Sequence, residues 1–154
     1  MKHFIYFMVS VLVLSACDSN KNYLERSDAD KALQDAVKKL NKDNSDEKAA
    51  QAIPVLYSNI KQQHLEKIKS YSNVKDLSKW DKIIAEYQDL QDAYDAIINS
   101  PAAFRLVTPD SYLAIILANK ELAAEAYYGE AQTQFSKEGR EYSRKAYNYF
   151  KKAD

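Results

Sequence analysis

Apolar side chains recur through most of this chain at intervals of three and four, the spacing that places them on one face of an α-helix. The clearest run is Ile83, Tyr87, Leu90, Tyr94 and Ile97, with Trp80 adding bulk ahead of it; it predicts a helix over 76–99. Asn99-Ser100-Pro101 closes that helix, because a proline pushes the residue before it out of the α region. Leu33, Ala36, Val37 and Leu40 predict an earlier helix over 28–41, with Ser27 as its cap and Asp30 as the capping-box partner. Between these two, Ile53, Tyr57, Ile60, His64, Ile68 and Tyr71 form one stripe, predicting a helix from near Asp46 to Tyr71-Ser72-Asn73. Pro54 lies inside it and lacks a backbone donor, so a kink or restart is expected there.

Thr108-Pro109-Asp110 reads as cap, proline at the first helical position and early acid. It opens a long helix over 109–137 whose inward residues are expected to be Tyr112, Ile115, Ile116, Leu122, Ala123, Ala126 and Phe135. Gly129 within it costs up to ~1 kcal/mol against alanine, and close approach of a neighbouring helix is the expected reason for it. After a turn at Lys137-Glu138-Gly139, a last helix over 140–153 carries Tyr142, Ala146, Tyr149, Phe150 and Ala153. The connection 101–108 contains Phe104, Leu106 and Val107 and is expected to pack down.

Composition agrees with an all-α fold of about five helices in antiparallel hairpins. The 154 residues include two Gly and three Pro, too few for the repeated turns of a sandwich or barrel. Lys plus Arg and Asp plus Glu number 22 each and are interspersed, so the chain lacks the basic footprint of a nucleic-acid binder. One cysteine makes neither an internal disulfide nor a zinc site.

The first residues follow different rules. Met1-Lys2-His3 is a short basic start, and Phe4 to Leu14 is apolar except for Ser10. That run is short of the ~20 residues that span a bilayer and matches the core of a secretory signal. It ends in Leu14-Ser15-Ala16-Cys17, which resembles the lipobox of bacterial lipoproteins. The resemblance implies that 1–16 is a signal peptide, that cleavage frees Cys17, and that this cysteine carries acyl chains holding the protein to a bilayer. The mature chain would then keep 21 basic and 22 acidic residues. Residues 17–27 form the lipidated cysteine and a polar tether, and 28–154 the helical domain. Asp18 resembles the inner-membrane retention signal of enterobacterial lipoproteins. Other bacteria sort by other rules, so the periplasmic face of either membrane and the cell surface all stay open.

The last forty residues resemble a tetratricopeptide repeat, in which bulky residues of one helix lock against small ones of the next. Ala146, Phe150 and Ala153 match the second helix, and Tyr128, Ala131 and Phe135 can serve in the first. Trp80, Ile83, Ile84 and Tyr87 copy the first-helix spacing once more, without the turn that should follow. A non-repeating five-helix bundle is the other architecture. Repeat pairs bury their faces by stacking on neighbours, so either a partner covers the outer face of the last helix or that helix is polar enough alone.

Candidate chemistry is thin. His64 is the one histidine outside the signal and reads as a residue at the edge of the core. Two glycines exclude a phosphate-cradling loop, and one histidine excludes a two-histidine metal centre; neither cofactor nor metal is expected. Glu121 and Glu125 share a face at i,i+4, and paired carboxylates can hydrolyse glycosides, yet solvated helices commonly offer such pairs. Asp89, Asp92 and Asp95 make an acidic edge of the same ordinary kind. Tyr127, Tyr128, Tyr142, Tyr147 and Tyr149 cluster late in the chain, where tyrosine serves either packing or recognition. Tyr147 lies off the Ala146 face and is the residue expected to be exposed. These features favour a non-catalytic, membrane-anchored binding module or scaffold for an envelope protein, with Tyr128 and Tyr147 as contact residues. The alternatives are a glycan- or small-ligand-binding lipoprotein of an uptake system, with Trp80 as stacking platform, and a hydrolase using Glu121 and Glu125.

Overall fold

A computed structural model describes residues 22–153. It contains a 3-10 turn at Tyr23–Glu25 and six helices: α1 (Ala29–Lys42), α2 (Glu47–Ser72), α3 (Lys79–Ile98), α4 (Pro101–Phe104), α5 (Leu113–Phe135) and α6 (Arg140–Ala153). No strand occurs among the described residues. The all-α expectation holds, with five long helices and one short one.

Helix starts follow local chemistry where side-chain oxygens are at hand. Asp28, not Ser27, caps α1 by accepting from the Lys31 N–H at 2.9 Å, and Asp46 caps α2 by accepting from the Ala49 N–H at 2.8 Å. α2 runs unbroken through Pro54 with no restart; Ala49, Ala52, Ile53, Leu56 and Tyr57 are buried on both sides of the proline and hold the helix in place. Ser100 Oγ accepts from the Ala103 N–H, and Pro101 opens α4 in a segment expected to be a connection.

Cross-helix bonds give the topology. His64 of α2 meets Glu86 of α3 across the 73–78 turn, so those two are antiparallel. Asp30 lies by His64 while Ser100 Oγ donates to Asn41 Oδ1, so α1 runs parallel to α3. α5 returns along α3: Gln91 meets its start at Tyr112, and the Tyr127 hydroxyl donates to the Leu77 carbonyl further along. α1, α2 and α3 thus form a three-helix bundle around Leu33, Ile53, Ile60, Leu90 and Ile97, with α5 laid on it through Tyr112 and Ile116.

α6 doubles back on α5. Tyr127 stacks on Tyr149 with ring centres 6.2 Å apart, and Tyr128 meets Phe150 edge-on at 5.5 Å. Ala131 and Ala146 are fully buried there, small residues that let two helices approach. The eight residues of α5 after Tyr127 reach about 12 Å past the start of α3 at 1.5 Å per residue. The α5–α6 hairpin therefore overhangs the bundle.

Several expectations about α5 need correction. It begins at Leu113 rather than 109, because the backbone ahead of it is bonded to another helix: buried Gln91 Oε1 accepts from the Tyr112 N–H at 2.7 Å. Pro109 is buried just ahead of the helix, and the Asp110 N–H donates to the Tyr57 hydroxyl at 2.8 Å. Ile115, Leu122 and Phe135 are exposed rather than inward, and so is Tyr142 of α6. The 101–108 connection packs down through Ala103 and Val107, while Phe104 and Leu106 face solvent. Gly129 has nothing within 4 Å of its would-be Cβ, so no close helix approach explains it.

Candidate functional site

Two places on the molecule carry more than packing. The first is the outer surface of α5 and α6. Leu113, Leu117, Ala124 and Tyr128 share one stripe of α5 by their spacing of four, seven and four. At Tyr128 this stripe turns toward α6 and Phe150; at Leu113 and Leu117 it is bare, Leu117 being 61 % exposed. Phe135 at the hairpin's end is 71 % exposed, and Tyr147 on the outside of α6 is 66 % exposed, as its position off the Ala146 face predicts. Tyr128 keeps 51 % of its surface in solvent despite its contact with Phe150. Arg140, Arg144 and Lys151 flank Tyr147 on the same face of α6, and none of them enters an ion pair among the described residues.

The hairpin is fastened to the bundle at the other end of α6. Lys152 Nζ donates to Asp81 Oδ2 at 2.6 Å and lies 4.8 Å over the Tyr127 ring. Burial pushes the Tyr127 phenol above its usual range, so the group stays a donor to Leu77.

The remaining predicted residues are scattered. Trp80 is half-buried against the core with Lys79 Nζ 5.1 Å over its ring. Glu121 and Glu125 are exposed on α5 with no hydrogen bond or ion pair among the described residues. Cys17 and the expected signal peptide lie outside the described residues. Asn22 to Arg26, the end of the expected tether, folds back on the domain: Arg26 pairs with Asp35 at 2.6 Å and stacks over Tyr23. Asn22 lies beside Ser45–Lys48 at the α1–α2 turn, the end of the bundle opposite the hairpin.

The second place was hidden in the sequence. His64 is 2 % exposed where α1, α2 and α3 meet. Its Nδ1 lies 2.5 Å from Glu86 Oε2 and 3.9 Å from Asp89 Oδ2; its Nε2 lies 3.3 Å from Asp30 Oδ2. Lys67 Nζ also reaches Glu86 at 3.1 Å. With a carboxylate on each ring nitrogen, the imidazole satisfies both by carrying two protons, and the hydrogen bonds to Asp30 and Glu86 raise its pKa above the ordinary 6.5 against the opposing pull of burial. Asp89 is pushed up by its own burial and by Asp30, Glu86 and Asp92 around it. His64, Glu86 and Asp89 bring one donor atom each within 4.8 Å of one another, a spacing that invites a metal reading. The 2.5 Å between Nδ1 and Oε2, however, is a proton-bridged separation; two ligands ~2.0–2.1 Å from one tetrahedral ion stand ~3.3 Å apart. Nothing in the spacing of α2 alone announces this cluster, since its carboxylates come from two other helices.

No protein family, curated protein or solved structure matches this chain.

Proposed function

We propose that this protein is a lipid-anchored envelope lipoprotein that holds a partner protein on its α5–α6 hairpin without catalysing a reaction. The observation that carries the proposal is the set of large apolar side chains left bare along α5 and α6: Leu113, Leu117, Tyr128, Phe135 and Tyr147. Apolar side chains left bare in this way favour association, and tyrosine flanked by arginine is typical of binding hot spots. Placement adds support. The lipobox-like Cys17 precedes Asn22 by five residues, at most ~18 Å of extended chain, and Asn22 lies at the end away from the hairpin. An anchor there would direct the hairpin away from the bilayer, and confinement to a surface would raise the effective concentration toward other envelope components. The paired small and large residues between α5 and α6 suit the tetratricopeptide-like reading of this hairpin. Trp80 suits a sugar less well, because Lys79 covers its ring.

The test is photo-crosslinking in the native envelope from residues placed at Leu117 and Tyr147, with exposed Gln63 on α2 as control. One defined adduct from the hairpin positions and none from Gln63 is the expected result. Adducts equally frequent from all three would defeat the reading. Mass spectrometry of the mature amino terminus tests the anchor separately: Cys17 should carry acyl chains.

A further inference from the structure

The His64 cluster joins three helices through one side chain, and the hairpin reading makes no use of it. We propose that His64 is a pH-operated latch: as an imidazolium it ties α1 to α2 and α3, and on losing a proton it lets the first turns of α1 and the segment leading toward the anchor loosen.

The argument starts from hydrogen-bond inventory. A charged imidazole has two donors and no acceptor, and here it meets Glu86 Oε2 on one nitrogen and Asp30 Oδ2 on the other. A neutral imidazole has one donor. Whichever tautomer forms, a ring lone pair then faces a carboxylate oxygen, and one helix loses its tie while gaining a repulsion. The charges around the ring decide which helix gives way. From α3 come Glu86 and Asp89, with Asp92 behind them; from α2 comes Lys67, which holds Glu86 at 3.1 Å; from α1 comes Asp30 alone. Glu86 has a second cation and keeps its place. Nδ1 faces Glu86 at 2.5 Å and Asp89 at 3.9 Å while Nε2 faces Asp30 alone at 3.3 Å, so the neutral ring keeps its proton on Nδ1. Asp30, with no other cation within ion-pair distance among the described residues, loses its tie, and α1 is the helix released. Asp30 is in the first turn of α1, just after the Arg26–Asp35 pair that folds the incoming chain onto this helix. Asp30 and Asp89 also line a small cavity of about 50 Å³ with Gln34, Asp92 and Ala93, which gives water a way to the released carboxylate.

The sign follows from linkage. His64 has a raised pKa in the folded chain, so its contribution is fully present below about 6.5, the unfolded value, and is lost as pH rises through the folded value. Asp89 is also raised, and its window opens at the ordinary carboxylate value, below that of His64. Each unit of upward shift in His64 is worth a tenfold change in the folding equilibrium constant.

The experiment uses the full-length chain and two readouts between pH 5.5 and 9. NMR titration of the imidazole should show His64 protonated on both nitrogens at the acid end of the range, with a pKa above 6.5. Amide hydrogen exchange, corrected for its intrinsic pH dependence, should show α1 protection falling several-fold as pH rises through that pKa, with α3 held. His64→Gln should flatten the profile and leave α1 weakly protected throughout. Asp30→Asn, at a half-exposed position that tolerates the change, should bring the His64 pKa down and shrink the α1 effect even if the glutamine variant fails to fold. A His64 that titrates at or below 6.5, or α1 protection that follows the same pH profile in wild type and Asp30→Asn, would overturn the latch.

Discussion

Gly129 is exposed in the middle of α5, with open space where a Cβ would stand. A glycine without a steric reason costs helix stability for nothing in return, so Gly129→Ala should raise stability by up to about 1 kcal/mol. In a chain of this size that corresponds to ~2–4 °C in Tm, measurable by thermal denaturation. Gln91 is the opposite case. It is 1 % exposed, and its amide oxygen accepts from the Tyr112 N–H while its Nε2 donates to Asp95 at 2.9 Å. Gln91→Leu keeps the volume and removes the acceptor, leaving a buried N–H orphaned at a cost of about 1–3 kcal/mol; urea denaturation checks it. Neither residue was readable in the sequence. Gly129 invited a packing explanation because most mid-helix glycines have one. Gln91 has a role that depends on which residue ahead of α5 comes to lie beside it, a fact of register between positions 21 residues apart.

At the scale of elements, periodicity located all five long helices, and α6 to the residue. The mislaid end belongs to α5, where Thr108-Pro109-Asp110 carried every local mark of a helix start while the backbone there is bonded to Tyr57 of α2 and Gln91 of α3. Local signals compete with tertiary acceptors, and here the tertiary acceptor won. The inward face of α5 was read too broadly for a related reason. Ile115, Ile116 and Leu117 are consecutive, so spacing cannot choose among them, and only Ile116 finds a neighbour. The α5–α6 pair was better marked, since small Ala131 and Ala146 sit opposite each other among bulky rings. Ala146→Leu should push α6 off α5 at about 1–3 kcal/mol of overpacking. α6 reaches the bundle through Lys152, so the damage should stay local: proteolysis should cut α6 early while exchange protection in α1, α2 and α3 is unchanged.

For the whole molecule, the exposed residues of the hairpin separate stability from function. Leu117 and Tyr147 spend most of their surface in water, so replacing each with serine removes little burial and should move stability by no more than about 0.5 kcal/mol apiece. Ile116, one residue from Leu117 and 3 % exposed, is packed on the bundle, and Ile116→Ser should cost about 3 kcal/mol or more. If the hairpin is the partner's seat, the Leu117→Ser, Tyr147→Ser chain should keep its melting temperature yet lose crosslinking at least tenfold, the reverse of what a folding defect produces. Ile116→Ser should lose both together. A double variant that melts normally and still crosslinks at full yield would show that those side chains are bare for no purpose, and would move the search for a partner site to another face of the bundle.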